Sequence, residues 1–153
     1  MPRNLGAAIR IAACFETPLD VVEPCGFPLT DRGIRSAALD YAPPPADVSR
    51  HASWAGFLES PARAEGRLVL FTTAADASLW NFAFAPTDLL LFGRESVGVP
   101  DDVATAADAT VRIPISAGTR SLNVAVAAAV GLAEARRQMS LAGGEGEGSS
   151  RTR

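Results

Sequence analysis

Two short runs constrain this chain more than any other feature: residues 67–72 (RLVLFT) and 88–92 (DLLLF) are almost continuously apolar. A strand with one face in water alternates apolar and polar residues, because successive side chains point to opposite faces. A run that does not alternate, and is too short for a helix, fits a strand covered on both faces in a parallel sheet. Residues 110–113 form a weaker third run, and residues 19–23 read as a short buried strand closed by Pro24.

Helical patterns alternate with these runs. Asn4 can cap a helix over residues 5–15, with Ile9, Ala12 and Ala13 as its apolar stripe and Pro18 blocking continuation. Thr30 and Asp31 can cap a helix that runs to Leu39, and Ser53 another over residues 54–64. Ser121 opens the longest helical pattern, which runs to about Met139 with Arg136 and Arg137 in its last turn. Its alanines and valines suit close packing against a core or a second subunit. Strand and helix signals in alternation predict an α/β fold, a parallel sheet flanked by helices, with any ligand crevice at the carboxyl ends of the strands. Residues 1–140 read as one domain and residues 141–153, containing GGEGEGSSRTR, as a flexible low-complexity tail.

Composition removes several functions. The 153 residues, 48% hydrophobic, suit a single core. All 14 basic residues are arginine, which excludes a lysine-bearing P-loop and Schiff-base chemistry. One histidine and two cysteines match no paired metal-ligand spacing, so no metal is expected. A net charge of -3 argues against blanket nucleic-acid binding but leaves room for a local arginine face. No apolar stretch is long enough for a bilayer and no secretory leader is visible in residues 1–10, so the expected location is the cytoplasm, without membrane attachment. His51 has no obvious partner and reads as structural or exposed. Cys14 and Cys25 read as buried thiols, and Trp54 and Trp80 as packing residues.

Chemistry concentrates in three loops. After the second apolar run comes Gly93-Arg94-Glu95-Ser96-Val97-Gly98-Val99-Pro100, where glycines let a ligand approach the backbone. An ordinary turn before a helix with Pro100 in its first turn explains the same residues. Residues 113–123 (IPISAGTRSLN) feed the long helix; Ser121 could cap it, which leaves Asn123 unexplained. Near the start, Asn4 and Arg10 stand six apart, explicable also as a cap and a surface arginine.

In this order and spacing the segments resemble the SPOUT superfamily of knotted RNA methyltransferases. The three motifs are N-x-G-x-x-x-R (Asn4 to Arg10), L-x-F-G-x-E-x-x-G-x-P (Leu90 to Pro100) and I-P-x-x-x-x-x-R-S-L-N (Ile113 to Asn123). Residues 22–27 (VEPCGF), 34–41 (IRSAALDY) and 71–73 (FTT) look like its TrmL-like branch, which methylates the 2'-hydroxyl of the tRNA wobble nucleotide. The resemblance spans about residues 2–139. It implies a homodimer with a C-terminal trefoil knot that binds S-adenosylmethionine, releases S-adenosylhomocysteine, and takes the tRNA anticodon stem-loop as partner.

Carried over by position, Phe71, Gly93, Ile113 and Ser121 would line the cofactor, with Thr72 and Leu122 beside them and Glu95 bracing the Gly93 loop. Arg10 would stand at the transfer centre, facing the partner subunit's cofactor, with Asn4 and Asn123 holding the adjoining loops. Arg32, Arg35 and Arg50 are the candidates for RNA phosphates. The family carries a strand before the first motif, so the expectation is a sheet lacking that strand. Ala7, and Ala74-Ala75 after the third spacer, depart from the usual residues and bear on substrate contacts. Two readings stay beside wobble methylation: a non-catalytic adenosyl-ligand or RNA-binding dimer, and a ribosomal RNA 2'-O-methyltransferase.

Overall fold

A computed structural model describes residues 2–25, 47–94 and 97–144. Helix α1 (Pro2–Cys14) is followed by strand β1 (Leu19–Val22), strand β2 (Val48–His51), helices α2 (Trp54–Leu58) and α3 (Pro61–Glu65), and strand β3 (Leu68–Phe71). A 3-10 turn (Leu79–Asn81), strand β4 (Leu89–Phe92), helix α4 (Asp101–Thr105), strand β5 (Ala109–Val111) and helix α5 (Val124–Gly144) complete the order. All strand pairs are parallel: β1 lies beside β2, and a separate sheet has the order β4-β3-β5. No strand precedes α1 among the described residues.

Central β3 behaves as its composition requires, with Leu68, Val69 and Leu70 buried. Strand β4 does not: all four of its residues are only half-buried, because among the described strands it pairs on one side alone. Val69, Leu79, Phe84 and Val111 form the core under the sheet, with Phe71, Val130, Ala135 and Met139 packed against it.

Helix boundaries depart from expectation where local hydrogen bonds decide them. Asn4 lies inside α1, which begins at Pro2, where a proline suits a first helical turn. The helix closes before Pro18: Glu16 takes a left-handed φ of 48°, its N–H reaches Ala13 O (3.2 Å), and the Thr17 N–H reaches Ala12 O (2.9 Å). Ser53 caps α2 by accepting from the Gly56 N–H (3.1 Å). The expected helix over residues 54–64 is two helices, however, because Ser60 starts a new one with Pro61 in its first turn and its hydroxyl accepting from the Arg63 N–H. Helix α4 likewise begins at Asp101, one residue after Pro100. Helix α5 continues to Gly144, past Met139 and into the segment expected to be tail.

Several single-residue expectations change. His51 does have a partner, since its Nε2 lies 2.7 Å from Asp20 Oδ1 across the β1-β2 pair. Cys14 is exposed and Cys25 half-buried, and both thiols are free. Trp54 stacks on Phe57, but Trp80 is 57% exposed. The expected helix from Thr30 and Asp31 to Leu39 lies outside the described residues.

On α5, Glu134 accepts from Arg137 (2.7 and 2.8 Å) and from Gln138 Nε2 (2.8 Å). Gln138 also donates to Phe82 O and accepts from the Phe84 N–H, both at 2.9 Å, which clamps the helix to the 82–84 segment. The Arg137 hydrogen bond first, then that from Gln138, holds the Glu134 carboxyl at about 2. A carboxyl lowered in the folded state contributes stability that is complete above its ordinary value of 4.5 and is lost as pH falls toward about 2. Glu134→Gln should therefore be less stable than the parent near neutrality, with the difference vanishing across that window in an acid titration followed by circular dichroism.

Candidate functional site

Because β3, β4 and β5 run parallel, their carboxyl ends emerge on one side, and the segments that follow them meet there. They enclose a pocket of about 310 Å³. From the end of β3 come Leu70, Phe71, Thr72 and Thr73; from β4, Phe92, Gly93 and Arg94, with Gly98 and Val99; from the coil after β5, Ile113, Ile115, Arg120, Ser121 and Leu122; from α5, Val124 and Ala127. This is the crevice expected of a parallel sheet. Phe71, Thr72, Gly93, Ile113, Ser121 and Leu122, singled out from the sequence, all line it. Glu95 lies outside the described residues.

Phe71 forms one wall. Its ring stacks on Phe92 (centroids 4.5 Å apart) and, behind, on Phe84 (6.4 Å). Gly131 of α5 is buried against the far end of the same ring, where a Cβ would come within 2.6 Å of Phe71 Cζ.

The Gly93 loop is pinched shut by reciprocal backbone bonds: the Arg94 N–H donates to Gly98 O (2.9 Å) and the Gly98 N–H to Arg94 O (2.8 Å). Gly98 has a φ of 67°, the left-handed region that glycine tolerates. A Cβ on Gly93 would sit 2.5 Å from the Gly98 carbonyl carbon. The glycine is thus required first by the neighbouring backbone, and only through it by a ligand.

The long helix is capped by Asn123 and not by Ser121. Asn123 Oδ1 accepts from the Ala125 N–H (3.0 Å) and the Val126 N–H (3.4 Å), while its Nδ2 donates to Asn4 Oδ1 (3.0 Å). Residues 4 and 123 are therefore joined, and the first turn of α1 is tied to the start of α5. Ser121 is released to the pocket, within a coil where Ile113, Ile115, Arg120, Ser121 and Leu122 make no backbone hydrogen bond to another described residue. Open N–H and C=O groups beside an apolar wall suit a small molecule with an aromatic face and a polar edge.

Arg10 is exposed on α1 and does not line this pocket. Six residues of helix carry it roughly 9 Å along the axis from Asn4. Arg50 is exposed and paired with Glu23, while Arg32 and Arg35 lie outside the described residues. Arg94 and Arg120 line the pocket without having been singled out. Arg120 is the arginine of the I-P-x-x-x-x-x-R-S-L-N motif, to which no role was given, and Arg94 directly follows the motif glycine Gly93. Among the described residues no group of three His, Cys, Asp or Glu side chains could hold a metal ion, and no helix is long and apolar enough to cross a membrane.

Comparison with known proteins gives concordant results. The family described as SpoU rRNA methylases matches residues 1–133. A tRNA (cytidine(34)-2'-O)-methyltransferase of Ancylobacter novellus is 50% identical over 137 residues, covering 89% of this chain and 85% of that protein. The enzyme of the same description from Beijerinckia indica is 46% identical over 139 residues, covering 91% and 86%. A solved structure concerned with the 2-OH methylation of C/U34 on tRNA has a TM-score of 0.81 at 40% identity, covering 92% of this chain and 90% of that one. The SpoU methyltransferase AviRb of Streptomyces viridochromogenes, in complex with AdoMet, has a TM-score of 0.75 at 28% identity, covering 92% and 57%.

Proposed function

Since the chain belongs to the SpoU rRNA methylase family and is a methyltransferase, we propose that it transfers a methyl group from S-adenosylmethionine to the ribose 2'-hydroxyl of the wobble nucleotide of tRNA. The observation that carries this reading is the convergence of the Gly93 loop and the 113–123 coil, with the Phe71–Thr73 segment, on one pocket at the carboxyl ends of β3, β4 and β5, while Asn4 of the first motif is tied to the start of α5 through Asn123.

The residues present fit the cofactor. Phe71, Ile113 and Leu122 give an apolar wall, and the coil through Ser121 offers open backbone groups to its polar edge. The volume falls in the range of small-molecule sites. When bound, the cofactor supplies an electrophilic sulfonium methyl and requires no metal.

The chain must then position a ribose hydroxyl and let its proton go. We assign that positioning to Arg10. Guanidinium, with a pKa above about 12, is a poor base but a rigid two-pronged donor. It orients the hydroxyl and an adjacent phosphate, and the proton passes to water or a phosphate oxygen. Asn4 and Asn123 hold α1 against α5 so that Arg10 keeps its bearing, and Glu95 braces the Gly93 loop. An exposed Arg10 that does not line its own pocket suits a homodimer in which it serves the partner subunit, with the pocket inside a C-terminal trefoil knot. The anticodon stem-loop is the proposed partner, Arg32, Arg35 and Arg50 its proposed phosphate contacts, and the cytoplasm the proposed location. Residues 1–140 form the proposed catalytic domain.

Transfer of labelled methyl to an anticodon stem-loop with cytidine at the wobble position tests the reading. Label should enter that RNA and not the same RNA with 2'-deoxycytidine there; equal labelling of both would overturn the proposal. In the same assay Arg10→Lys should turn over at least about tenfold more slowly while S-adenosylhomocysteine affinity, measured by calorimetry, stays within about twofold. Normal turnover would exclude the two-pronged role.

A further inference from the structure

Several of the described arginines already hold a partner. Arg50 pairs with Glu23, Arg63 with Asp108 (3.1 Å), Arg67 with Asp88 (2.7 Å) and Arg137 with Glu134 (2.7 Å), while Arg136 donates to Phe15 O. Arg94 and Arg120 are exposed, carry no side-chain hydrogen bond or ion pair among the described residues, and both line the pocket. They are the only charged side chains of that lining, which holds no carboxylate among its described residues. In a chain of net charge -3, two positive charges thus stand at the pocket with no carboxylate among its described lining.

The two arginines stand on segments that follow the two strands flanking β3. Arg94 follows β4 and is fixed by its reciprocal bonds with Gly98; Arg120 stands in the coil that follows β5. Strand β3 runs between β4 and β5, so the loops leave the sheet roughly 10 Å apart. A polyanion laid across the mouth meets both. The methyl donor is itself cationic at sulfur and at its ammonium group, so a second pair of positive charges suits it poorly, whereas a phosphate chain gains from each.

We infer that Arg94 and Arg120 grip the RNA backbone on either side of the target ribose, seating the substrate over the pocket. The inference rests on the RNA methyl-transfer reading and adds to it two substrate-positioning residues outside the arginines considered from sequence.

The test is fluorescence anisotropy of a labelled anticodon stem-loop titrated with full-length protein across a salt series. Arg94→Gln and Arg120→Gln should each weaken RNA binding about three- to tenfold at low salt. Each should also flatten the dependence of log Kd on log salt by about one unit or slightly less, as expected for one lost phosphate contact. Arg120→Lys should keep the slope. Arg137→Gln, which removes the same charge elsewhere, should change neither quantity, and S-adenosylhomocysteine affinity by calorimetry should stay within about twofold for all variants. Lost S-adenosylhomocysteine affinity with intact RNA binding would overturn the inference and give the arginines to the cofactor's carboxylate. Equal effects from Arg137→Gln would also overturn it, reducing the matter to net charge. If the parent binds S-adenosylhomocysteine but no RNA, the inference falls together with the RNA reading; if the parent binds RNA and the variants bind equally well, only the inference falls.

Discussion

Gly93→Val is expected to lower the affinity for S-adenosylhomocysteine by more than about a hundredfold while leaving the chain folded. The new Cβ would lie 2.5 Å from the Gly98 carbonyl carbon, 2.8 Å from its oxygen and 2.8 Å from Val99 N. All three are backbone atoms, which no rotamer change can withdraw. To admit the side chain, the reciprocal bonds between Arg94 and Gly98 must part, and with them moves the wall made of Gly93, Arg94, Gly98 and Val99. The core of Val69, Leu79, Phe84 and Val111 lies elsewhere, so the melting temperature should fall far less than the affinity. Calorimetric titration with a parallel thermal melt separates the two effects. Parent-like binding would mean that this loop is no part of the ligand's enclosure.

Asp88→Ala should produce the largest loss of stability among single side-chain truncations in the loops, about 2–3 kcal/mol, or roughly 5–10 °C in Tm for a chain of this size. The Asp88 side chain is only 3% exposed. Its Oδ1 accepts from Arg67 Nε (2.9 Å), and its Oδ2 from Arg67 Nη2 (2.7 Å) and the Ala85 N–H (2.9 Å). Arg67 also donates to Ala83 O (3.0 Å) and lies over the Phe82 ring, which ties residues 82–88 to the start of β3. The Asp88 hydrogen bond is the leading cause that raises the Arg67 pKa. Because the Arg67 side chain is 41% exposed, water can take over part of the lost contact, so the expected cost lies below that of breaking a fully buried pair. Asp88→Asn, which keeps one acceptor, should fall between. A thermal shift within about 1 °C for the alanine variant would remove the pair from any account of stability.

What the amino-acid order reveals differs from element to element for identifiable reasons. The uninterrupted apolar character of β3 announces burial on both faces, and Ser53 announces its helix, because both signals are complete within a few residues. The same apolar character misleads at β4, whose exposure depends on where it falls in the order β4-β3-β5. Ser121 and Asn123 are both sound caps by type. The choice fell to Asn123 because its amide can cap α5 and bond to Asn4, a partner 119 residues away. Glu16 ends α1 in a left-handed turn that its residue type does not advertise.

The pocket was legible as a set of motif residues but not as a shape. Phe71, Gly93 and Ser121 could be named from their surroundings in the chain, yet that Gly93 makes room for the Gly98 backbone is a matter of two loop strands meeting. Arg94 and Arg120 carry no assigned role in the sequence for a related reason. What distinguishes an arginine free to meet an anion from one already neutralised is the presence of a carboxylate brought there by folding. Arg50 was a candidate by sequence, and the fold pairs it with Glu23.

The contact between Gly131 and the end of the Phe71 ring makes the long helix and the pocket wall a single mechanical part. The ring belongs to the pocket lining, and its far end rests in a notch that only glycine leaves open. Sliding α5 by even one residue would bring a side chain into that notch, so the helix is indexed to the pocket as a key is to its lock. A second subunit docked on α5 would inherit the same index. Filling the pocket and setting the helix register are thereby thermodynamically linked, and whatever stabilises one narrows the freedom of the other.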